Sequence, residues 1–216
     1  APPFWPGSAL RLLRQNLLLL DGVRINNSTW RSGPVQYWNT VDGFSMGRLE
    51  LVRNQGSVLY GSDALGGTPN VLTAGSGFRE ADPGFFWGGS ALYRFDTNSR
   101  SHIGRVETRL GQGGTWGALI GVTAKDFGDI RDSGVGRMTN TGYPERNHDL
   151  KLEAALNPDT TLTFAHQYVD QDDVWRWHST IFNDTPWNGT STGTFPARIY
   201  DQERSLTYLK IDGELP

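Results

Sequence analysis

The sequence predicts a mainly β protein whose second half is an antiparallel up-and-down sheet. Three observations carry this. Glycine makes up 27 of the 216 residues and aromatics 12%, a mixture that suits strands and tight turns better than helices. Beyond residue 84, segments of about ten residues alternate apolar and polar positions, as strands of a two-faced sheet do. The connections alternate as well: GQGG (111–114) and NPDT (157–160) are tight, whereas 127–147 and 171–202 are long.

The elements follow in chain order. QNLLLLDGVRIN (15–26) is an apolar run closed by Asp21-Gly22, a strong two-residue turn signal, with strand-like residues after it. Residues 27–40 mix Asn, Ser, Gly and Pro with three aromatics and read as a loop. MGRLELVRN (46–54) returns to strand, with Leu49 and Leu51 opposite Arg48, Glu50 and Val52. The glycine-rich GSVLYGSDALGG (56–67) leads to a short strand, TPNVLT (68–73). Pro69 has no N–H to give a ladder, so that strand is expected at an edge or starting just after the proline. Residues 74–84 read as a linker. Strands are then expected at 87–96, 102–110, 115–125, 148–156, 160–170 and 203–212. In the second of these Arg105, Glu107 and Arg109 oppose Val106, Thr108 and Leu110. In the fourth Asp149, Lys151 and Glu153 oppose Leu150, Leu152, Ala154 and Leu156.

Composition bounds the function. A net charge of −3 gives no global field for nucleic acid. The charge steps from +2 over residues 1–80 to −5 over 81–216, which suggests a boundary near residue 80. With no cysteine there is neither a disulfide framework nor a thiolate metal site. Leu17–Leu20 falls far short of the about 20 apolar residues of a membrane helix. The chain starts at Ala1 and ends on KIDGELP within a strand pattern, which reads as a piece of a longer one.

A soluble sandwich and a membrane barrel both give one apolar face per strand. Two features favour the barrel. The strands exceed the usual ~5–6 residues, and their apolar faces carry no charge through the middle, where Lys or Arg costs about 2–4 kcal/mol in lipid.

Catalytic and cofactor readings find little support. GSVLYGSD has the spacing of a phosphate loop, but Ser62 stands where lysine is required. His102, His148, His166 and His178 are scattered, without i, i+4 pairing or a nucleophile elbow. DQDD (170–173) lacks the glycine and terminal glutamate of a calcium loop and reads as the solvated mouth of a loop. WRWH (175–178) and Trp187 place exposed aromatics in the long 171–202 connection, to bind something or to pack the loop. No enzyme, cofactor or metal site is expected.

LLLLDGVRIN followed by FSMGRLELVRNQGSVLYGSDALGGTPNVLT (44–73) resembles the second half of the plug domain of TonB-dependent outer-membrane receptors. Arg48, Glu50, Arg53, Leu59, Tyr60, Gly61, Ala64, Gly66, Gly67 and Asn70 match the family pattern; Asn54-Gln55 and Thr68-Pro69 depart from it. The resemblance implies a partial, small α/β plug domain (1–80) followed by the first strands of a truncated antiparallel transmembrane β-barrel (81–216). It implies active uptake of a scarce solute, an iron–siderophore complex first, across the bacterial outer membrane. The partners implied are the inner-membrane TonB complex through a plug segment absent here, an extracellular ligand such as a metal chelate, and outer-membrane lipid. The glycine-rich stretch then serves tight turns within a filled lumen. Arg48, Glu50 and Arg53 are expected at plug–barrel contacts. Trp30, Arg31, Gln36, Tyr37 and Trp38 at the plug apex, and Trp175, Trp177, His178 and Trp187 in an outer loop, are the expected ligand contacts. The rival reading is a soluble all-β binding or adhesion module.

Overall fold

Four consecutive leucines, Leu17–Leu20, are all at most 5% exposed, so both faces of the segment that carries them are covered. In this computed structural model, which describes residues 17–25, 37–53, 64, 67–183 and 191–213, the chain forms two compact units, residues 1–74 and 75–216. In the first, β1 (Leu19–Leu20) lies between β2 (Val23–Arg24) and β4 (Gly67–Thr73), and β3 (Met46–Arg53) lies on the far side of β4. Strand β1 runs parallel to β4 and antiparallel to β2. A strand covered on both faces is read as a continuous apolar run rather than as alternation.

The Asp21-Gly22 turn forms as expected, with φ of 51° and 83°; glycine takes the second of these left-handed positions without penalty. Its groups are then tied to β4. The Asp21 carboxylate accepts from the Thr73 amide at 2.8 Å and the Thr73 hydroxyl at 2.7 Å, and the Gly22 amide donates to Asn70 Oδ1 at 3.1 Å. Ala64 is fully buried and joins Leu17 and Leu19 in one apolar cluster. Asp21→Ala leaves two Thr73 donors without their acceptor and is expected to cost this unit about 1–3 kcal/mol. Amide exchange at Thr73 in the full-length protein, faster than wild type, is the measurement.

Strand β4 corrects the expectation about Pro69. The strand is internal, with Pro69 opposite Leu51 of β3. Gly67 and Val71 turn their carbonyls toward β1, where Leu17 and Asp21 donate to them. By the two-residue period Pro69 presents its missing N–H on that same side. Strand β1 is only two residues long, so a single donor is lost against a short partner.

The second unit is a six-stranded antiparallel meander, β5 (Phe85–Asp96), β6 (Ser101–Gln112), β7 (Trp116–Phe127), β10 (Tyr143–Asn157), β11 (Thr160–Trp175) and β12 (Ile199–Gly213). A small hairpin, β8 (Arg131–Asp132) with β9 (Gly136–Arg137), interrupts it. The two long connections shrink to 128–142 and 176–198, because β7, β10, β11 and β12 continue past their apolar stretches through polar residues. Asp170–Asp173 consequently lie inside β11, beside a register shift between Gln171 and Val174, and not in a loop. Among the described residues there is one 3-10 turn, Tyr37–Thr40, and no α-helix.

The two faces of this sheet are inverted relative to a soluble protein. Trp87 (75% exposed), Val122 (56%) and Leu209 (69%) stand on the apolar, exposed face, while Arg105, Lys125, Glu145 and Lys151 on the other face are all at most 9% exposed. A sheet that exposes its apolar residues and buries its charged ones is built for lipid outside and a polar interior.

Candidate functional site

The buried polar face organises into two charge-balanced clusters. Arg105 of β6 reaches across β7 to Asp149 of β10 at 2.7 Å, donates to Glu107 of its own strand at 3.2 Å, and touches the Thr123 hydroxyl at 3.1 Å. Arg109 completes the cluster on Glu107 at 2.9 Å. The long reach is possible because β7 has no side chain at Gly121: a Cβ there would lie 2.7 Å from the Arg105 guanidinium carbon and 2.7 Å from an Asp149 oxygen. Toward the long-loop rim, Lys125 of β7 pairs with Glu145 of β10 at 2.6 Å. Asn147 and Gln171 add two amide donors to the same carboxylate, at 2.7 and 2.8 Å. Buried charges persist only when paired and hydrogen-bonded in this way.

Above that rim, loop 128–142 is ordered around one carboxylate. Asp129 accepts from the amides of Thr141 (2.9 Å) and Gly142 (3.1 Å) and from Arg137 Nε (2.8 Å). Desolvation pushes its pKa up, but the two amides and the Arg137 cation outweigh this and hold it below the usual aspartate value. A depressed folded pKa stabilises the loop fully above the unfolded value of about 3.9, and the contribution is lost as pH falls through the lower folded value. Thr141 and Gly142 amide exchange is therefore expected to accelerate, beyond its intrinsic pH dependence, only below about pH 3.9. Asp129→Asn is expected to remove the transition.

The described residues of loop 176–198 pack on one another. Trp177 is buried (7% exposed), and its Nε1 and the buried Asn183 Oδ1 have no hydrogen-bond partner among the described residues. Trp175 at the end of β11 meets Phe182 edge-on at 5.7 Å, Arg176 lies over the Tyr200 ring, and Arg198 lies over that of Phe195. His178 is exposed. Of the aromatics expected to face a ligand in this loop, Trp177 is thus packed inside it. Trp175 and His178 remain at its surface or margin, and Trp187 lies outside the described residues.

In the first unit, Trp30, Arg31 and Gln36 lie outside the described residues. Tyr37 opens the 3-10 turn, and Trp38 in that turn is half-buried, its carbonyl accepting from Val41. Arg48 pairs with Glu50 two positions on, and Arg53 is exposed at the end of β3. Glu50 also lies 3.5 Å from Asn70 Nδ2, so Asn70 links the β1–β2 turn to β3. Asp129 and the Lys125–Glu145 pair were not singled out in the sequence. The period-2 pattern reaches Lys125, but Glu145 falls within the connection expected at 127–147, and nothing local marks Asp129.

The TonB-dependent Receptor Plug Domain family matches residues 7–68. Over this stretch the chain is similar to the TonB-dependent receptors. It is 29% identical over 156 residues to the vitamin B12 transporter BtuB of Vibrio vulnificus, covering 72% of this chain and 24% of that one. It is 32% identical over 109 residues to BtuB of Photobacterium profundum, covering 49% and 16%. Among solved structures, the Pseudomonas aeruginosa ferric enterobactin receptor PfeA superposes with a TM-score of 0.64 at 17% identity, over 94% of this chain and 32% of that one. The ferripyoverdine receptor of the same organism's outer membrane gives 0.57 at 15%, over 93% and 26%. The chain thus spans 24% and 16% of the length of these two curated relatives, and its place is the bacterial outer membrane. In these terms the exposed apolar face is the lipid face and the buried charged one the lumen face.

Proposed function

We propose that this receptor takes up a scarce solute actively across the outer membrane, coupled through TonB, with an iron–siderophore complex as the first candidate cargo and a corrinoid as the second. The observation that carries the reading is the inverted six-stranded sheet, apolar outside and charged inside, in one chain with a plug-domain sequence. The outer membrane has no energy source of its own, so uptake against a gradient needs the inner-membrane complex. Transport here involves no covalent chemistry, and no catalytic role is part of the proposal.

The short turns 113–115 and 158–159 face the periplasm in this reading, and loops 97–100, 128–142 and 176–198 face outside. Trp177 Nε1 and Asn183 Oδ1, buried without a hydrogen-bond partner among the described residues, support loop 176–198 as the element that rearranges over a ligand. Each unpaired buried group costs about 1–3 kcal/mol, and low-stability segments are the ones that move. On the plug, Trp30, Arg31, Gln36, Tyr37 and Trp38 offer flat faces, a cation and an amide suited to an anionic, partly aromatic chelate.

The test is uptake by cells carrying the full-length receptor, with ferric enterobactin, ferripyoverdine and vitamin B12 as probes, with and without a functional TonB. TonB-dependent accumulation of a ferric siderophore is expected. Failure of all three to bind, with the receptor correctly inserted, overturns the choice of cargo. Arg31→Ala with Tyr37→Ala is expected to weaken binding of the accumulated probe by about 2–4 kcal/mol; unchanged affinity removes these residues from the site.

A further inference from the structure

Of residues 74–84, expected from sequence to be a linker, 76–84 are fastened across the short-turn rim of the sheet. The Ser76 amide and hydroxyl both donate to Glu153 Oε2 of β10, at 2.7 and 2.6 Å. Ser76 and Phe78 are each 2% exposed. They occupy the space left by Gly117 of β7, where a Cβ would come within 2.8 Å of the Phe78 and Ser76 Cβ atoms. The Phe78 carbonyl accepts from Gly114 at 2.7 Å and the Gly84 carbonyl from Gly113 at 2.9 Å, which catches the β6–β7 turn. Arg79 catches the next short turn. Its guanidinium donates to the carbonyls of Asn157 (3.2 Å), Pro158 (2.6 Å) and Thr160 (2.8 Å) and to the Thr161 hydroxyl (2.8 Å). A planar five-donor fork is the side chain that can hold several carbonyls of one turn at once.

Hydrogen bonding changes owner within two residues. The Ala74 amide donates to Ser45 at the start of β3, in the first unit, whereas the Ser76 amide donates to Glu153 of the barrel sheet. Gly75 lies between them, and a Cβ on it would press on the Glu153 carboxylate at 3.2 Å. We propose that residues 76–84 are a fixed strap belonging to the barrel, and that any opening of the plug ends at the Ala74–Gly75 boundary. The strap ties the β6–β7 and β10–β11 turns together, so the rim keeps its shape while the plug upstream rearranges. Force applied to the plug is then borne by Ser76–Glu153 and Arg79 at the short-turn rim.

This rests on the transport reading for its purpose, but not for its test. Hydrogen exchange of the full-length receptor in detergent, across a urea series, needs no transported solute. Plug peptides spanning 19–25 and 46–73 are expected to exchange through an opening at lower urea than peptides spanning 76–81 and 111–116, which exchange with the barrel strands. Arg79→Ala is expected to speed exchange in 76–81 and 157–161 at least tenfold and to leave 46–73 unchanged. Should that variant fail to insert, Ser76→Cys with Glu153→Cys supplies the second arm, since the 216 residues contain no other cysteine. The oxidised pair is expected to leave plug exchange unaltered. Exchange of 76–81 together with 67–73 in the wild-type receptor, or a tenfold slowing of 46–73 on oxidation, overturns the strap. Loss of uptake for every probe with these exchange patterns intact overturns only the transport reading.

Discussion

Arg105→Ala in the full-length receptor is expected to lower its stability by about 3–5 kcal/mol, because it leaves buried carboxylates uncompensated. Arg105 is 4% exposed and supplies the cation to both Asp149 and Glu107; Arg109 still reaches Glu107, but Asp149 loses the ion pair described for it. The check is the urea midpoint of the detergent-solubilised receptor, followed by the mobility shift between folded and heated barrel. Replacing Arg105 and Asp149 together by apolar residues of similar size is expected to recover much of the loss, since a missing pair costs far less than half of one. Equal damage from the single and double changes would show that packing at Gly121, and not charge, dominates this part of the wall.

The second large effect belongs to the opposite face. Ile120 lies mid-strand in β7, 45% exposed, between Ala118 and Val122. Ile120→Arg places a cation in the middle of the apolar band, at a cost of about 2–4 kcal/mol in lipid, and assembly into the outer membrane is expected to fail or fall sharply. The same substitution on a soluble module would be nearly neutral at an exposed site. The fraction of full-length receptor recovered in the outer-membrane pellet, for Ile120→Arg against wild type, therefore separates the barrel from the adhesion-module alternative.

What the sequence disclosed depended on how far apart the causes sit. The Asp21-Gly22 turn, the meander and its two faces were legible because they rest on periods of two residues and on a local turn. The errors arose where a distant partner decides. The sequence puts Pro69 at an edge or just before its strand, because it does not reveal that β1 is short on the side where a donor is missing. From sequence β10 begins too late and β11 ends too early, because Glu145, Asn147 and Gln171 resemble loop residues until the Glu145 carboxylate gathers Lys125, Asn147 and Gln171 from three strands. Likewise GSGFRE looked like a linker. The partners of Arg79 lie about 80 residues downstream, and no local pattern announces them. The plug motif was readable as a family likeness, and the structure gives part of its physical reason: Ala64 is buried and Asn70 bonds the turn.

The length of β11 has a consequence at the cell surface. At about 3.3 Å per residue and a tilt of about 40°, sixteen residues climb about 40 Å along the barrel axis, whereas the apolar band is about 25 Å tall. The strand therefore overshoots the hydrocarbon by about 15 Å on the long-loop side, carrying Asp170, Asp172 and Asp173 with it. In the orientation proposed above, loop 176–198 is borne on a parapet above the lipid head groups, where the proposed bulky solute would meet it before meeting the membrane.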